Sequence, residues 1–171
     1  MNKIAKFEKI SYEQFRKDWL NVIPNIVEWK LESMYENIVL PKRSTTGSAG
    51  YDFYLPRDMD LCKDDSVVIP TGIRCNITDG WVLTIFPRSG HGFKYGVHLA
   101  NTVGIIDADY YDAKNEGHIM VKLVNDSELS ENIHFNDGIA FCQGIFLPFG
   151  ITVDDEVDAK RVGGFGSTDN K

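Results

Sequence analysis

Residues 66–86 read SVVIPTGIRCNITDGWVLTIF, and this stretch decides the fold class. It contains three short runs with β-branched or aromatic side chains, at residues 66–70, 72–77 and 81–86, a pattern typical of β-strands. The dipeptide Asp79-Gly80 predicts a tight hairpin turn between the last two runs. Similar runs follow at residues 99–106, 117–124 and 139–148. Strands that recur without long helices between them predict an all-β sandwich or barrel-like body.

The first 36 residues have a different, helical pattern. Ser11 and Gln14 fit a capping box at the start of a helix, and Pro24 is a natural end for it. One face of this helix would carry three aromatic side chains, Tyr12, Phe15 and Trp19. Residues 25–36 alternate like a strand at first, but their Glu, Lys and Met content favours a second helix.

The composition limits the classes of function. The chain has 171 residues, of which 43% are hydrophobic, enough for one globular domain with a real core. Its 18 basic and 25 acidic residues give a net charge of -7 with no Lys- or Arg-rich run, which argues against a nucleic-acid polymer as partner. A nucleotide is still compatible, because one basic cluster and a divalent cation can neutralise a triphosphate.

The cysteines and the N-terminal residues allow a prediction of the cellular compartment. The three cysteines, Cys62, Cys75 and Cys142, are odd in number and widely spaced, which predicts reduced thiols and no zinc site. The four histidines, His91, His98, His118 and His134, lack metal-ligand spacing, and most are predicted at the surface or in loops. No signal-peptide core and no run of about 18 apolar residues occurs. We therefore predict a cytoplasmic protein without a membrane partner.

Two segments carry groups suited to phosphate chemistry. Residues 87–90 (PRSG) predict a turn that offers a bidentate cation, a hydroxyl and an unobstructed backbone N–H to phosphate oxygens. Asp107 follows the apolar residues 103–106, so we expect a carboxylate at a strand end, where burial can tune its basicity. A phosphate clamp and a positioned base are the minimum equipment for hydrolysis of a phosphoanhydride.

Five segments occur in a fixed order along the chain. They are GSAGYDF (47–53), PRSGHGFK (87–94), NTVGIIDADYY (101–111), FCQGIF (141–146) and RVGGFGST (161–168). Each alone is an ordinary loop or strand, and the last is no Walker A loop because no Lys precedes its Ser-Thr. Together they closely resemble the five motifs of the trimeric deoxyuridine triphosphatase (dUTPase) family, from about residue 40 to residue 168.

The resemblance implies a fold and an activity. The expected fold is an all-β body of the β-clip type, a distorted jelly-roll barrel, at residues 37–151. A short helical extension at residues 1–36 precedes it, and a flexible arm with the fifth motif, at residues 152–171, follows it. The family hydrolyses dUTP to dUMP and pyrophosphate with Mg²⁺ across the triphosphate, as a homotrimer whose sites are shared between subunits.

The resemblance also implies roles for individual residues. Asp107 would activate the water that attacks the α-phosphate in line. Tyr110 would lie under the deoxyribose and exclude a 2′-hydroxyl. The uracil edge would pair with a hairpin formed by Asn101, Gly104 and Ile106, too tight for a thymine methyl. The α- and β-phosphates would be held by Arg88, Ser89, Gly90 and Gln143.

The remaining implied roles concern the γ-phosphate and the metal. Phe165 would stack on uracil. The γ-phosphate would be held by Arg161, Gly166, Ser167 and Thr168. Mg²⁺ would be held mainly by the substrate phosphates, and Asp52 would support it indirectly from a neighbouring chain.

The chain departs from the family pattern in three places. The Asp-Arg that usually precedes the fourth-motif Gln is replaced by residues 138–142 (GIAFC), which leaves the anchoring of Gln143 open. Asp169 stands where the family commonly has Gly, and its carboxylate would repel a γ-phosphate unless it turned outward. Residues 111–116 form a longer, acidic loop than in shorter relatives.

Two other functions stay open on the sequence alone. A dCTP deaminase shares the fold, but its third motif lacks the Asp-x-x-Tyr spacing of Asp107 and Tyr110. A zinc deaminase is excluded, because neither H-x-E nor P-C-x-x-C occurs. A module that binds another protein, with nucleotide as a switch, would use the aromatic face of the N-terminal helix or the loop at residues 111–116.

Overall fold

The structure is a computed structural model that describes residues 2–126, 128, 132–158 and 163. Within these residues eleven strands pair into four sheets. The strands are β1 (Ala5–Lys9), β2 (Tyr51–Tyr54), β3 (Met59–Leu61), β4 (Asp65–Pro70), β5 (Ile73–Ile77), β6 (Trp81–Pro87), β7 (His98–Leu99), β8 (Gly104–Ile106), β9 (Met120–Asn125), β10 (Ile133–Phe135) and β11 (Ala140–Pro148). The helices are α1 (Tyr12–Val22), α2 (Glu28–Glu36), α3 (Ser89–Tyr95) and a 3-10 helix (Ala108–Asp112). The predicted all-β body is confirmed.

Strand β11 lies inside the largest sheet, whose order is β2-β11-β6-β8. It runs antiparallel to β2 on one side and to β6 on the other. A shift of register between Ala140 and Cys142 bulges the strand, so that two successive residues, Phe141 and Cys142, are both fully buried. The other sheets have the orders β4-β9-β7, β1-β5 and β10-β3.

The N-terminal extension begins with a strand that the sequence did not predict. β1 pairs antiparallel with β5 along its whole length. Phe7 on β1 packs against the main core, and its ring lies 5.5 to 5.8 Å from three others, those of Tyr51, Phe53 and Phe146. The prediction of a purely helical extension at residues 1–36 is therefore wrong for residues 5–9, which complete a sheet of the body.

The two predicted helices of the extension are confirmed, but the capping box is only half formed. The Ser11 hydroxyl accepts a hydrogen bond from the Gln14 N–H at 3.2 Å. The Ser11 N–H donates instead to the carboxylate of Glu116, 2.7 Å away. None of the helices in the described part of the chain is long and apolar enough to cross a membrane.

The aromatic face of α1 is buried inside the protein. Phe15 and Trp19 belong to a second apolar cluster, which also contains Ile10, Leu31 and Met34. Ile38 packs against both this cluster and the main core. Phe15 is 0% exposed and Trp19 is 3% exposed. The predicted docking of a partner protein on this face is therefore wrong.

Gly72 allows the apolar cluster of the N-terminal extension to pack against the β body. Its φ of 75° lies in the left-handed region, and a Cβ there would be 2.3 Å from Ile38 Cδ1 and 3.0 Å from Phe15 Cδ2. A side chain would separate the two layers, so this position requires glycine.

The predicted hairpin at Asp79-Gly80 is wrong. The turn exists, with the Trp81 N–H donating to the Thr78 carbonyl at 3.2 Å. However, β5 and β6 belong to different sheets, because β5 pairs with β1. The turn therefore carries the chain from one sheet to another.

Two further strand predictions need correction. The run at residues 99–106 is interrupted after β7 by a turn and resumes as β8 in a different sheet. The run at residues 117–124 begins as a strand only at Met120, because Glu116 and Gly117 have positive φ values of 58° and 68°. The runs at residues 66–70, 81–86 and 139–148 are confirmed as β4, β6 and β11.

We expect Phe15→Ala to lower the free energy of unfolding by about 3–5 kcal/mol, the usual cost of emptying a buried aromatic site. Trp29→Ala is the matched control, because Trp29 on α2 is 65% exposed and should cost within about 0.5 kcal/mol. Urea denaturation followed by circular dichroism measures both. Equal costs would show that α1 is not part of the cooperative fold.

Candidate active site

The first, second and fourth motifs meet at one end of the largest sheet. In the register of β11, Gln143 lies opposite Asp52 on β2 and opposite Phe86 on β6. Arg88 follows directly after β6. The sheet therefore brings side chains separated by 36 and 55 positions in sequence to one edge, although the usual fourth-motif Asp-Arg is missing. Gln143 is anchored by the pairing of its strand on both sides.

Hydrogen bonds and one ion pair connect these side chains. Arg88 Nε lies 3.5 Å from Asp52 Oδ1, and the Ser44 hydroxyl donates to Asp52 Oδ2 at 2.8 Å. Gln143 Nε2 donates to the Pro87 carbonyl at 3.3 Å. We call these residues the Arg88 cluster: Ser44, Asp52, Arg88 and Gln143. Asp52 thus contacts Arg88 of its own chain, and its predicted role beside a metal–phosphate site shared with a neighbouring chain stays a prediction.

Gly50 shapes the Arg88 cluster by having no side chain. A Cβ at this position would lie 2.4 Å from Gln143 Oε1, closer than real contacts allow. From the sequence, Gly50 is predicted only as part of a loop. Its function in positioning Gln143 has no signal in the sequence, because Gln143 is 93 positions away.

The predicted turn at residues 87–90 is the junction of β6 with α3. Arg88 is the N-cap and Ser89 and Gly90 are the first helical residues. Their backbone N–H groups have no partner within the helix, because the first turn of any helix leaves such groups unpaired. They suit an anion for this reason. A Cβ at Gly90 would meet no described atom within 4 Å, so the space above it is open.

Two titratable side chains next to the cluster, Cys142 and His91, are uncharged near pH 7. Burial, and after it the nearby Asp52 carboxylate, raises the pKa of the Cys142 thiol well above its ordinary value. Burial also lowers the pKa of His91 on α3, and the charge of Arg88 acts in the same direction. Cys142 therefore stays a thiol and His91 stays neutral near pH 7, so that Arg88 supplies the positive charge at this edge.

The third motif forms a turn and a short strand. β7 ends at Leu99, the turn includes Asn101 and Thr102, and β8 begins at Gly104. Thr102 has a φ of 65°, which a β-branched residue rarely adopts. Backbone strain of this kind is common at ligand-binding sites. A narrow cleft behind the turn is lined by Asn101, Gly104 and Ile106, the residues predicted to meet the uracil edge, together with Ile85, Leu99, Met120 and Val121.

Asp107 lies at the end of β8, as predicted, but its side chain is exposed. The expectation that burial in its own chain tunes this carboxylate is therefore wrong. The physical reason is that β8 is the edge strand of its sheet. Tyr110, three residues further along, is 3% exposed and donates through its hydroxyl to the His118 carbonyl at 2.8 Å.

Within one chain, Asp107 is far from the Arg88 cluster. β6 and β8 are antiparallel, with Leu83 opposite Ile106 and Ile85 opposite Gly104. Continuing this register places Asp107 beside Val82, six positions before Arg88. At about 3.3 Å per residue, the two ends are about 20 Å apart. One chain therefore presents two separate parts of the predicted site.

Some predicted residues lie outside the described part of the chain. These are Arg161, Phe165, Gly166, Ser167, Thr168 and Asp169. The histidine prediction placed most of the four at the surface or in loops; His118 lies in the loop before β9, but it is fully buried between the N-terminal extension and the body.

The family model for dUTPase matches residues 36–169 of the chain. A deoxyuridine 5'-triphosphate nucleotidohydrolase of Lactococcus lactis subsp. lactis is 38% identical over 145 residues, which cover 82% of this chain and 95% of that protein. The protein of the same name from Haemophilus ducreyi is 40% identical over 135 residues, which cover 74% of this chain and 84% of that protein.

The fold matches solved structures as well. The dUTPase from Streptococcus mutans superposes with a TM-score of 0.62 at 30% identity and covers 85% of this chain and 97% of its own. A dUTPase of Staphylococcus bacteriophage 80alpha gives a TM-score of 0.64 over 92% of this chain and 90% of its own, at 18% identity, which is a likeness of fold. The predicted dUTPase-type fold is confirmed, and both the family model and the relatives show that the chain belongs to the dUTPase family.

Proposed function

We propose that this dUTP diphosphatase hydrolyses dUTP to dUMP and pyrophosphate by in-line attack of an Asp107-activated water on the α-phosphate. The main support for this mechanism is that Asp52, Arg88 and Gln143 lie together at the start of α3. An anion bound there would contact the Arg88 guanidinium, the Gln143 amide and the unpaired N–H groups of the first helical turn. The relatives named above are nucleotidohydrolases of deoxyuridine triphosphate, which favours this activity over deamination of dCTP.

In this mechanism, some residues bind the phosphates and another accepts the proton of the attacking water. Arg88, the Ser89 and Gly90 N–H groups and Gln143 bind the α- and β-phosphates and stabilise the charge that moves onto the leaving pyrophosphate. Asp107 accepts a proton from the water as its oxygen bonds to the α-phosphorus, and the bond from that phosphorus to the bridging oxygen breaks. The products are dUMP and pyrophosphate.

The third motif would select the nucleoside. Asn101 and the backbone at Gly104 and Ile106 would bind the uracil edge, and Tyr110 would lie under the deoxyribose. From the fifth motif, Phe165 would cover the base. The γ-phosphate would be held by Arg161, Gly166, Ser167 and Thr168.

Mg²⁺ fits this site as an ion carried mainly by the substrate. In the described ranges of the chain no three His, Cys, Asp or Glu side chains cluster as a metal site. Phosphate oxygens are suitable ligands for Mg²⁺, which neutralises charge on the triphosphate when bound. Asp52 would act indirectly, by orienting Arg88. A solved dUTPase of phage phi11 of Staphylococcus aureus coordinates a structural Mg(II) ion.

A homotrimer would bring the two parts of the site together. The distance of about 20 Å within a chain supports a site in which Asp107 acts on a phosphate bound by another subunit. Exposed apolar side chains alternate from the end of β11 onward, at Leu147, Phe149, Ile151 and Val153. Such a stripe is suited to packing on a second copy of the chain.

A cytoplasmic location stays a prediction, supported by the free cysteines.

We expect Asp107→Asn to keep nucleotide binding and to lower kcat by about 10²–10⁴-fold, because an amide cannot accept the proton of the water. Pyrophosphate release measures turnover, and calorimetry with a non-hydrolysable dUTP analogue measures binding. Asp109→Asn, two residues along on the same segment, is the matched control and should retain turnover.

The same assay, run on dUTP, dCTP, dTTP and UTP, tests the substrate. Preference for dUTP is expected. Comparable turnover of dCTP, or a deaminated product from it, would contradict the proposed function, and near-normal turnover by Asp107→Asn would exclude this residue as the base.

We expect Gly50→Ala to reduce kcat/KM for dUTP by about 10- to 100-fold, the cost of losing a hydrogen bond to a charged group. The new Cβ must displace the Gln143 side chain from its position. Gly47→Ala in the same loop is the control, because a Cβ there meets no described atom within 4 Å. Equal kinetics for both variants would show that Gln143 does not contact the substrate.

Mixed oligomers test the sharing of the site. Asp107→Asn and Arg88→Ala chains should each be inactive alone, whereas coexpression should restore activity, because about a quarter of the sites in random cyclic trimers combine an intact Arg88 with an intact Asp107 from its neighbour. Activity after coexpression is compared with each variant expressed alone. If both residues acted from one chain, no site would be intact and no activity would return.

A further inference from the structure

We propose that the N-terminal segment is a clamp on residues 108–118, and that Asp18 and His118 are positioning residues that hold Tyr110 for discrimination of the sugar. Residues 108–118 are the 3-10 helix and the turn that follow Asp107. The inference rests on the proposed function for the role of Tyr110. The clamp itself lies outside the family match, which begins at residue 36.

The N-terminal segment contacts residues 108–118 at three successive points. The Tyr111 hydroxyl donates to the Glu8 carboxylate on β1. The N–H and hydroxyl of Ser11 donate to the two carboxylate oxygens of Glu116, at 2.7 and 2.6 Å. The third contact, between Asp18 on α1 and His118, is 2.6 Å long. Two residues of the loop at 111–116, Tyr111 and Glu116, therefore bind the chain's own N-terminal segment.

The Asp18–His118 contact fixes the imidazole in one orientation. His118 is fully buried, and its Nε2 accepts a hydrogen bond from the Gly72 N–H at 2.8 Å. Nε2 therefore carries no proton, and the Nδ1–H donates to Asp18 Oδ2. Burial alone would raise the pKa of Asp18, but hydrogen bonds from His118 and Gln14 outweigh it and hold that pKa below its ordinary value. The contact joins a neutral imidazole to a carboxylate.

The fixed residue then holds Tyr110. The Tyr110 hydroxyl donates to the backbone carbonyl of His118 at 2.8 Å and accepts from Asn115 Nδ2 at 2.7 Å. At its other end, the Tyr110 N–H donates to the Asp107 carbonyl at 3.2 Å. A displacement of His118 therefore moves the phenol ring, and the backbone of Asp107 with it.

The physical character of the contact fits a positioning role. Bringing a carboxylate and an imidazole out of water costs free energy that their attraction barely returns, so a buried contact of this kind contributes little net stability. What it does provide is a fixed orientation of the imidazole, because each ring nitrogen has its own partner. Small displacements at a reacting centre lower rates by up to about 10²-fold.

The test compares Asp18→Ala, Asp18→Asn and Arg16→Ala in the full-length protein. Arg16 lies on the same helix and makes an exposed ion pair with Glu28, so Arg16→Ala controls for changes to α1. We expect Asp18→Ala to lower the ratio of kcat/KM for dUTP to that for UTP by about 10-fold or more. Asp18→Asn, whose amide oxygen still accepts from His118, should restore most of the ratio.

Asn115→Ala provides a second variant that leaves the apolar face of α1 intact. It removes the donor to the Tyr110 hydroxyl and should also lower the dUTP-to-UTP ratio, even where Asp18→Ala fails to fold. Unchanged ratios in Asn115→Ala, or a ratio for Asp18→Ala equal to that of Arg16→Ala, would overturn the clamp.

Hydrogen exchange separates this result from a failure of the proposed function. The amides of residues 108–118 should exchange faster in Asp18→Ala than in Arg16→Ala, whatever the substrate. If the wild-type protein released no pyrophosphate from dUTP, the proposed function would be wrong. Equal exchange in the two variants would overturn the clamp by itself.

Discussion

The register of β11 between β2 and β6 is the constraint on which the Arg88 cluster, the proposed phosphate-binding end of the site, depends. Gln143 points away from the core, while a Cβ at the next residue, Gly144, would lie 2.8 Å from Leu83 Cδ1. A slip of one residue would exchange the two faces of the strand, so that Gln143 would enter the core. Apolar packing thus fixes the position of a polar side chain, without the Asp-Arg pair that usually precedes it in the family.

Local sequence patterns predicted the strands well and their partners poorly. The apolar runs of β4, β6 and β11 are local, so they could be identified without knowing the fold. The hairpin at Asp79-Gly80 failed because β1, more than sixty residues earlier in the chain, occupies the edge of β5. Nor does any local signal distinguish the buried His118 from an exposed loop histidine, because its partner Asp18 is 100 positions away.

The site residues were predictable as segments, but their geometry was not. The sequence places Asp107 after an apolar strand, which favours burial, yet β8 lies at a sheet edge and leaves the carboxylate exposed. As the proposed base, this carboxylate would be shielded from bulk water by substrate or by a second subunit. The proposed base is exposed in one copy and the Arg88 cluster lies about 20 Å away, a separation that favours the proposed assembly of the site from two subunits.

The N-terminal extension stabilises the fold and orients the site through different contacts. Burial of Phe15 and Trp19 removes apolar surface from water and so stabilises the fold, but it does not orient any residue of the site. The hydrogen bonds that Glu8 and Asp18 accept, and those that Ser11 donates, orient residues of the site with little net free energy. Loss of a hydrogen bond should therefore move Tyr110 in a folded protein, whereas loss of an aromatic ring should unfold the extension. Because the two sets of side chains hardly overlap, stability and sugar discrimination can be changed separately.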